Sequence, residues 1–336
     1  MAKNLIDPAI LYFFLGVFIG AIRSNLEIPP PVAKFLSLYL LVALGFKGGQ
    51  ALGDAGLSGD GGKVLAVAML LALLIPGWSF LILRKKINPF DAAAISATYG
   101  SVSAVTFIAA SQFVANRGAE AGGYMTVALV LMESPAIIMA VLLATWVRGQ
   151  AGATNPETGL AMSAVTSDGP SEAMSVKAVL HEAFTDGAHL LLIGSLVIGF
   201  VSGDAGGKAM KVFTTDIFKG FLAFFLLEMG LLVARQLRDV RDVGPFLIGF
   251  ALLMPIVNGS IALGVGRLLG FGVGDLTLLA VLAASGSYIV VPAVIRFAIP
   301  EARPSRYFTM ALAVTFPFNI VIGIPLYYNV AKAIAG

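Results

Sequence analysis

The sequence has no cysteine and only two histidines, His181 and His189. Disulfides, thiolate metal sites and thiol nucleophiles are therefore excluded, and a histidine metal centre lacks ligands. Charge is scarce as well. Asp, Glu, Lys and Arg make up 12% of the 336 residues, against about 25% in soluble domains. HExxH, a nucleophile with a histidine partner and a glycine-rich phosphate loop are all missing, so neither an enzyme nor a cofactor is expected. The formal charge is +3 with a pI near 9.1. The basic residues sit in short clusters between apolar runs, which points to membrane topology and away from nucleic acid.

What fills the chain is apolar: 58% of residues, with a mean hydropathy of +0.91. Runs near the roughly 20 residues that cross a bilayer recur about ten times. They fall at about 8–22, 32–46, 64–83, 92–115, 124–147, 184–202, 217–234, 245–269, 276–299 and 307–333, segments 1 to 10 below. The expected fold is thus an all-α polytopic membrane protein with ten transmembrane helices. The first run, preceded by Lys3, has the outline of a signal-peptide core. Its counterpart later in the chain argues that it is retained.

The longest polar interruption, 148–182, is rich in Gly, Ala, Ser and Thr and reads as a linker between halves 1–147 and 183–336. The halves align. Lys34 and Gly45 match Lys219 and Gly230; Pro76 matches Pro255; Asp91, Ser101 and Ser103 match Asp275, Ser285 and Ser287; Thr126 matches Thr309. Five helices per half make the second enter from the opposite side, an inverted repeat of the kind secondary transporters use. Most of the 22 Lys and Arg, among them Arg84, Lys85, Lys86, Arg148, Arg303 and Arg306, then share one side. By the positive-inside rule, both termini are expected outside and the linker in the cytoplasm.

Segment 4 reads DAAAISATYGSVSAVTF, with Ser101 ten residues beyond Asp91. At 1.5 Å per residue that is about 15 Å deep, near the middle of a core about 30 Å thick. Segment 9 reads DLTLLAVLAASGSYIVVP, with Ser285 ten residues past Asp275 and Pro292 beyond. Both are expected to be discontinuous at the midplane. Their half-helix ends would form an anion site from Gly100, Ser101, Ser103, Ser285, Gly286 and Ser287 without a buried cationic side chain. The alternative is close helix packing through Gly100 and Ala104. In segment 5 Glu133 lies inside the apolar run, and Pro135 frees the carbonyl of Leu131. A carboxylate among hydroxyls and carbonyls suits a hard cation such as sodium. The expected ligand set is Ser103, Thr106 and Glu133, with Thr315 and Asn319 from segment 10; a structural Glu133 is the alternative. Glu228 faces Ala43 in the alignment, so symmetry gives it no ligand role.

These stretches are familiar. GSVSAVTF, ESPAI, SGSYIVVPAVIRFAIPEA and TFPFNIVIGIPLYYNVA resemble the sodium-dependent bicarbonate transporters first known from cyanobacteria. The resemblance implies ten helices in core and gate bundles, sodium-driven bicarbonate uptake across a bacterial plasma membrane, a homotrimer, and a small PII-like regulatory protein on the cytoplasmic face. It places Ser101, Ser103, Ser285 and Ser287 in the anion-binding motifs, and Glu133 where the family often has Asp. A transporter of another small anion, a carboxylate or sulfate, is the nearest alternative, with an anion channel behind it.

Overall fold

The computed structural model describes residues 7–55, 60–153 and 187–335. It is 84% helical, and no strand occurs among the described residues. Seven helical stretches are long and apolar enough to span a membrane, while Pro8–Ala21 and Val273–Ala283 are shorter apolar helices. Leu268, Val201, Leu253, Val212 and Phe18 are each more than 60% exposed. On a soluble protein such a surface would aggregate; on a multi-pass membrane protein it faces lipid.

In chain order the helices are α1 (Pro8–Ala21), α2 (Pro30–Ala55), α3 (Asp60–Leu83), α4 (Pro89–Gly100), α5 (Ala104–Ala115) and α6 (Tyr124–Ala153). Then follow α7 (Gly187–Lys211), α8 (Phe218–Gln236), α9 (Pro245–Leu268), α10 (Val273–Ala283), α11 (Val290–Ala298) and the helical stretch α12 (Pro304–Ala335). Residues 154–186, which include most of the linker and His181, lie outside the described residues. α6 continues as helix to Ala153, past the expected start of the linker at 148. The sequence RGQAGA carries no proline, and its alanines favour helix.

The stretch from Leu190 to Gln236 is 47 residues long. At 1.5 Å per residue it is about 70 Å, twice the hydrocarbon core. Gly203, at φ 50° and ψ −151°, bends it. That backbone region is open to glycine and strained for other residues. The tail of α7 beyond this bend is helical although its polar GDAGGK sequence reads as a loop.

α1 lies along α8, and α2 along α7. Both pairs approach until backbones touch. A Cβ on Gly16 would come within 2.2 Å of the Leu227 carbonyl oxygen, and one on Gly230 within 2.2 Å of that of Phe13. In the other pair, a Cβ on Gly49 would come within 2.0 Å of the Leu196 oxygen, and one on Gly199 within 2.1 Å of that of Phe46. The remaining helices form a second group, with α3, α4 and α6 in mutual contact and α10 packed on α9 and α12. α4 is buried on every side from Asp91 to Gly100, because Ala92, Ala93, Ala94 and Ala97 let its neighbours come close.

Prolines shape the last element. α12 is π-helical over Met310–Thr315 and again over Asn319–Gly323, either side of Pro317. Pro317 has no N–H to offer Ala313, and a wider turn is one way to absorb that loss.

Candidate functional site

Two helices are interrupted where the sequence expects it. α4 ends at Gly100; Ser101 is extended at φ −95° and ψ −178°, and Ser103 starts α5. Ser103 is a strong cap because its short hydroxyl reaches back into the first turn. It accepts from the Thr106 N–H at 3.2 Å and from the Thr106 hydroxyl at 2.9 Å. On the other side α10 ends at Ala283 and α11 begins at Val290. Pro292 falls in the first turn of α11, where a missing N–H costs nothing, so it follows the break and does not create it. There Ser287 accepts from the Val291 N–H at 3.3 Å.

The two breaks are bonded to each other. The Ser287 N–H donates to the Thr98 carbonyl at 2.9 Å. In the opposite sense the Ser103 N–H donates to the Ser285 hydroxyl at 3.1 Å, which donates on to the Leu282 carbonyl at 2.9 Å. Thr98 and Leu282 lie in the last turns of α4 and α10, whose carbonyls have no partner within their own helices. The crossing therefore satisfies groups that a broken helix in lipid would leave exposed.

Beside this crossing is a cavity of about 60 Å³, between the breaks and helices α2, α6, α7 and α8. Its polar lining is Ser37, Ser103, Glu133, Ser287 and Tyr288; Leu40, Leu41, Leu192 and Phe225 supply much of the apolar part. Glu133 is 7% exposed. A volume of this size holds a few waters or one small ion. Along the same seam a larger cavity of about 220 Å³ is lined by Lys47, Ser111, Gln112 and Thr126, and Ile108 lines both.

Of the residues singled out from sequence, the structure brings Ser103, Ser287 and Glu133 to one cavity. The others lie outside its lining. Gly100 packs on α3, where a Cβ would come within 2.1 Å of Pro76. A Cβ on Gly286 would meet only ordinary contacts, the nearest at 3.6 Å. Ser101 is buried, and no protein group among the described residues takes up its hydroxyl. Thr315 bonds Tyr99 and donates to the Ala251 carbonyl at 2.7 Å, the acceptor that Pro255 leaves free in α9. Asn319 donates to the Ala284 carbonyl at 2.9 Å, beside the second break.

The paired aspartates carry a role that the alignment alone does not reveal. Asp91, at the start of α4, accepts from the Arg303 N–H and from Arg306, each at 2.8 Å. Asp275, near the start of α10, accepts from the Gly122 N–H at 2.8 Å and from the Tyr124 hydroxyl. Each broken helix is thereby tied to the entry of the last segment of the other half. The signal was their shared offset of ten residues from the serine motifs.

With this geometry in view, comparison with known families is decisive. The profile of the Na+-dependent bicarbonate transporter superfamily matches residues 8–332. The chain belongs to that superfamily. No individual curated protein matches it. Membership makes this multi-pass protein a member of a transporter family, with bicarbonate and sodium as the family's substrates. Among the described residues no three His, Cys, Asp or Glu side chains cluster as a metal site would require.

The crossing gives a direct test. Ser285→Ala removes both bonds of the relay, leaving the Ser103 N–H without its partner, while the Leu282 carbonyl keeps the Ser285 N–H at 3.3 Å. About 1–3 kcal/mol of stability should go for the buried group left unmet. Ser101→Ala deletes a hydroxyl that bonds no protein group and should change stability little. Thermal unfolding of the two variants in detergent checks this, and equal losses would mean the relay contributes nothing.

Proposed function

We propose that the chain is a sodium–bicarbonate symporter that works by alternating access. The carrying observation is the cavity in which Ser103 and Ser287, at the starts of two half-helices, meet the buried Glu133. First-turn N–H groups and the positive ends of α5 and α11 favour an anion there. Both acceptor positions of Ser103 are taken by Thr106. Ser103 therefore has its proton to give, which suits an anion better than a cation. Thr106, one turn into α5 and outside the cavity lining, has given its own proton to Ser103 and keeps lone pairs that a sodium ion could use. Sodium binding first would offset the carboxylate and complete a site for bicarbonate, so each ion raises the affinity for the other.

The architecture we propose is two inverted five-helix repeats, 1–147 and 183–336. Counting the 47-residue stretch as two passes, joining α10 to α11 and adding the short α1 raises the seven long stretches to ten passes. Reciprocal contacts support the repeat: α1 on α8 corresponds to α7 on α2, and the Asp91 tie corresponds to the Asp275 tie. Under this reading α1, α2, α7 and α8 move against the remaining helices, and the seam with the two cavities is the path. Positive-inside bias supports outside termini and a cytoplasmic linker in a bacterial plasma membrane. A homotrimer and control by a PII-like protein enter from the family resemblance.

Uptake of labelled bicarbonate into proteoliposomes, with and without an inward sodium gradient, tests the proposal. Accumulation should require the gradient. Uptake at the same rate when potassium replaces sodium would sink it.

A further inference from the structure

Tyr288 is a polar side chain of the central cavity that neither the repeat nor the serine motifs singles out. It follows Ser287 directly, is 6% exposed and shares the cavity wall with Ser103 and Glu133. Its ring meets Phe316 edge-on, with centroids 5.5 Å apart. Packing therefore sets its direction. The phenolic hydroxyl lies beside Ser103 without reaching hydrogen-bond geometry, and no protein group among the described residues takes it up. Ser103 has both acceptor positions filled by Thr106, so it is a poor acceptor for the phenol. A buried hydroxyl without a partner is unfavourable, and phenylalanine would fill the same space without that penalty. A phenol held in a wall with Ser103, whose proton is also available, is suited to bonding something that enters the cavity.

We infer that Tyr288 is a ligand of the transported anion, its O–H donating to one oxygen of a small planar oxyanion. This rests on the central cavity being the transport site. A neutral phenol contributes a directed donor without the desolvation cost of a buried cation. It would favour oxyanions over halides through geometry, since its bond supplements those from Ser103 and the half-helix ends at fixed angles.

The test uses the full-length chain and Tyr288→Phe, each reconstituted for labelled bicarbonate uptake at saturating sodium and each melted in detergent with and without bicarbonate. The variant should show a KM for bicarbonate about tenfold or more above wild type, the size expected for one lost hydrogen bond in a desolvated site. Its melting temperature without bicarbonate should equal or exceed that of wild type, and the rise on adding bicarbonate should shrink. A wild-type KM, or a variant melting well below wild type without bicarbonate, overturns the inference, the latter because the hydroxyl would then hold the fold. Wild-type protein that takes up no bicarbonate would remove the transport reading and this inference with it. An active wild type matched by the variant removes this inference alone.

Discussion

Glu133→Gln should raise the sodium concentration for half-maximal bicarbonate uptake about ten- to a hundredfold, the range for losing a charged partner in a buried site. The substitution keeps the shape and a carbonyl oxygen, so packing changes little. What it removes is the negative charge. Glu133 is buried in α6 and shares the cavity with Ser103 and Ser287, where the low dielectric makes one charge matter more than at the surface. The bicarbonate KM at saturating sodium should change less, because the anion is held by N–H and hydroxyl donors. Sodium titrations of uptake, run beside the yield and size-exclusion profile of each variant, separate the two effects. Normal sodium activation in a well-folded variant would give Glu133 a structural role instead.

The second large effect concerns stability. Asp91→Ala should cost about 3–5 kcal/mol, as breaking a buried ion pair from one side does. Asp91 is 3% exposed and holds both Arg306 and the Arg303 N–H. Its removal leaves a guanidinium partly buried without its counter-charge. Replacing the cation as well, in Asp91→Ala with Arg306→Met, should recover much of the loss, since the uncompensated charge is then gone. Asp275→Ala should cost less, because its partners are an N–H and a phenol and no cation is stranded. Unfolding in detergent by heat or denaturant ranks the three. A loss near that of a surface pair, below about 1 kcal/mol, would show that Arg306 finds solvent when Asp91 is absent.

The interruptions in segments 4 and 9 were legible because their causes are local. A Gly–Ser–x–Ser or Ser–Gly–Ser run weakens helix and supplies caps within three or four residues. The membrane class was legible for a similar reason, since hydrocarbon admits only long apolar helices with few charges. Glu133 stood out because a carboxylate inside an apolar run is costly wherever it points. The end of α6 was not legible near 148, because polar composition marks solvent exposure and not the end of a helix. Residues 148–153 are polar and glycine-containing yet continue α6.

By itself the sequence determined that the chain is helical and spans a membrane, that two of its helices break beside hydroxyl side chains, and that an acid lies inside another apolar run. Only the tertiary structure decided which of those groups share a cavity. Helices surrounded by lipid and other helices have apolar residues on all faces, so no polar stripe tells which side looks inward. The π-helical turns in α12 add to this. Each admits one more residue per turn and rotates everything beyond it, so spacing at 3.6 residues does not give the faces of Thr315 and Asn319. The Thr315 hydroxyl meets the carbonyl of Ala251 and the Asn319 amide N–H that of Ala284, acceptors that a proline in one helix and the end of another leave open. Tyr288 could be assigned to the cavity only after folding, because the break that turns it inward and the Phe316 ring that holds it lie on different elements.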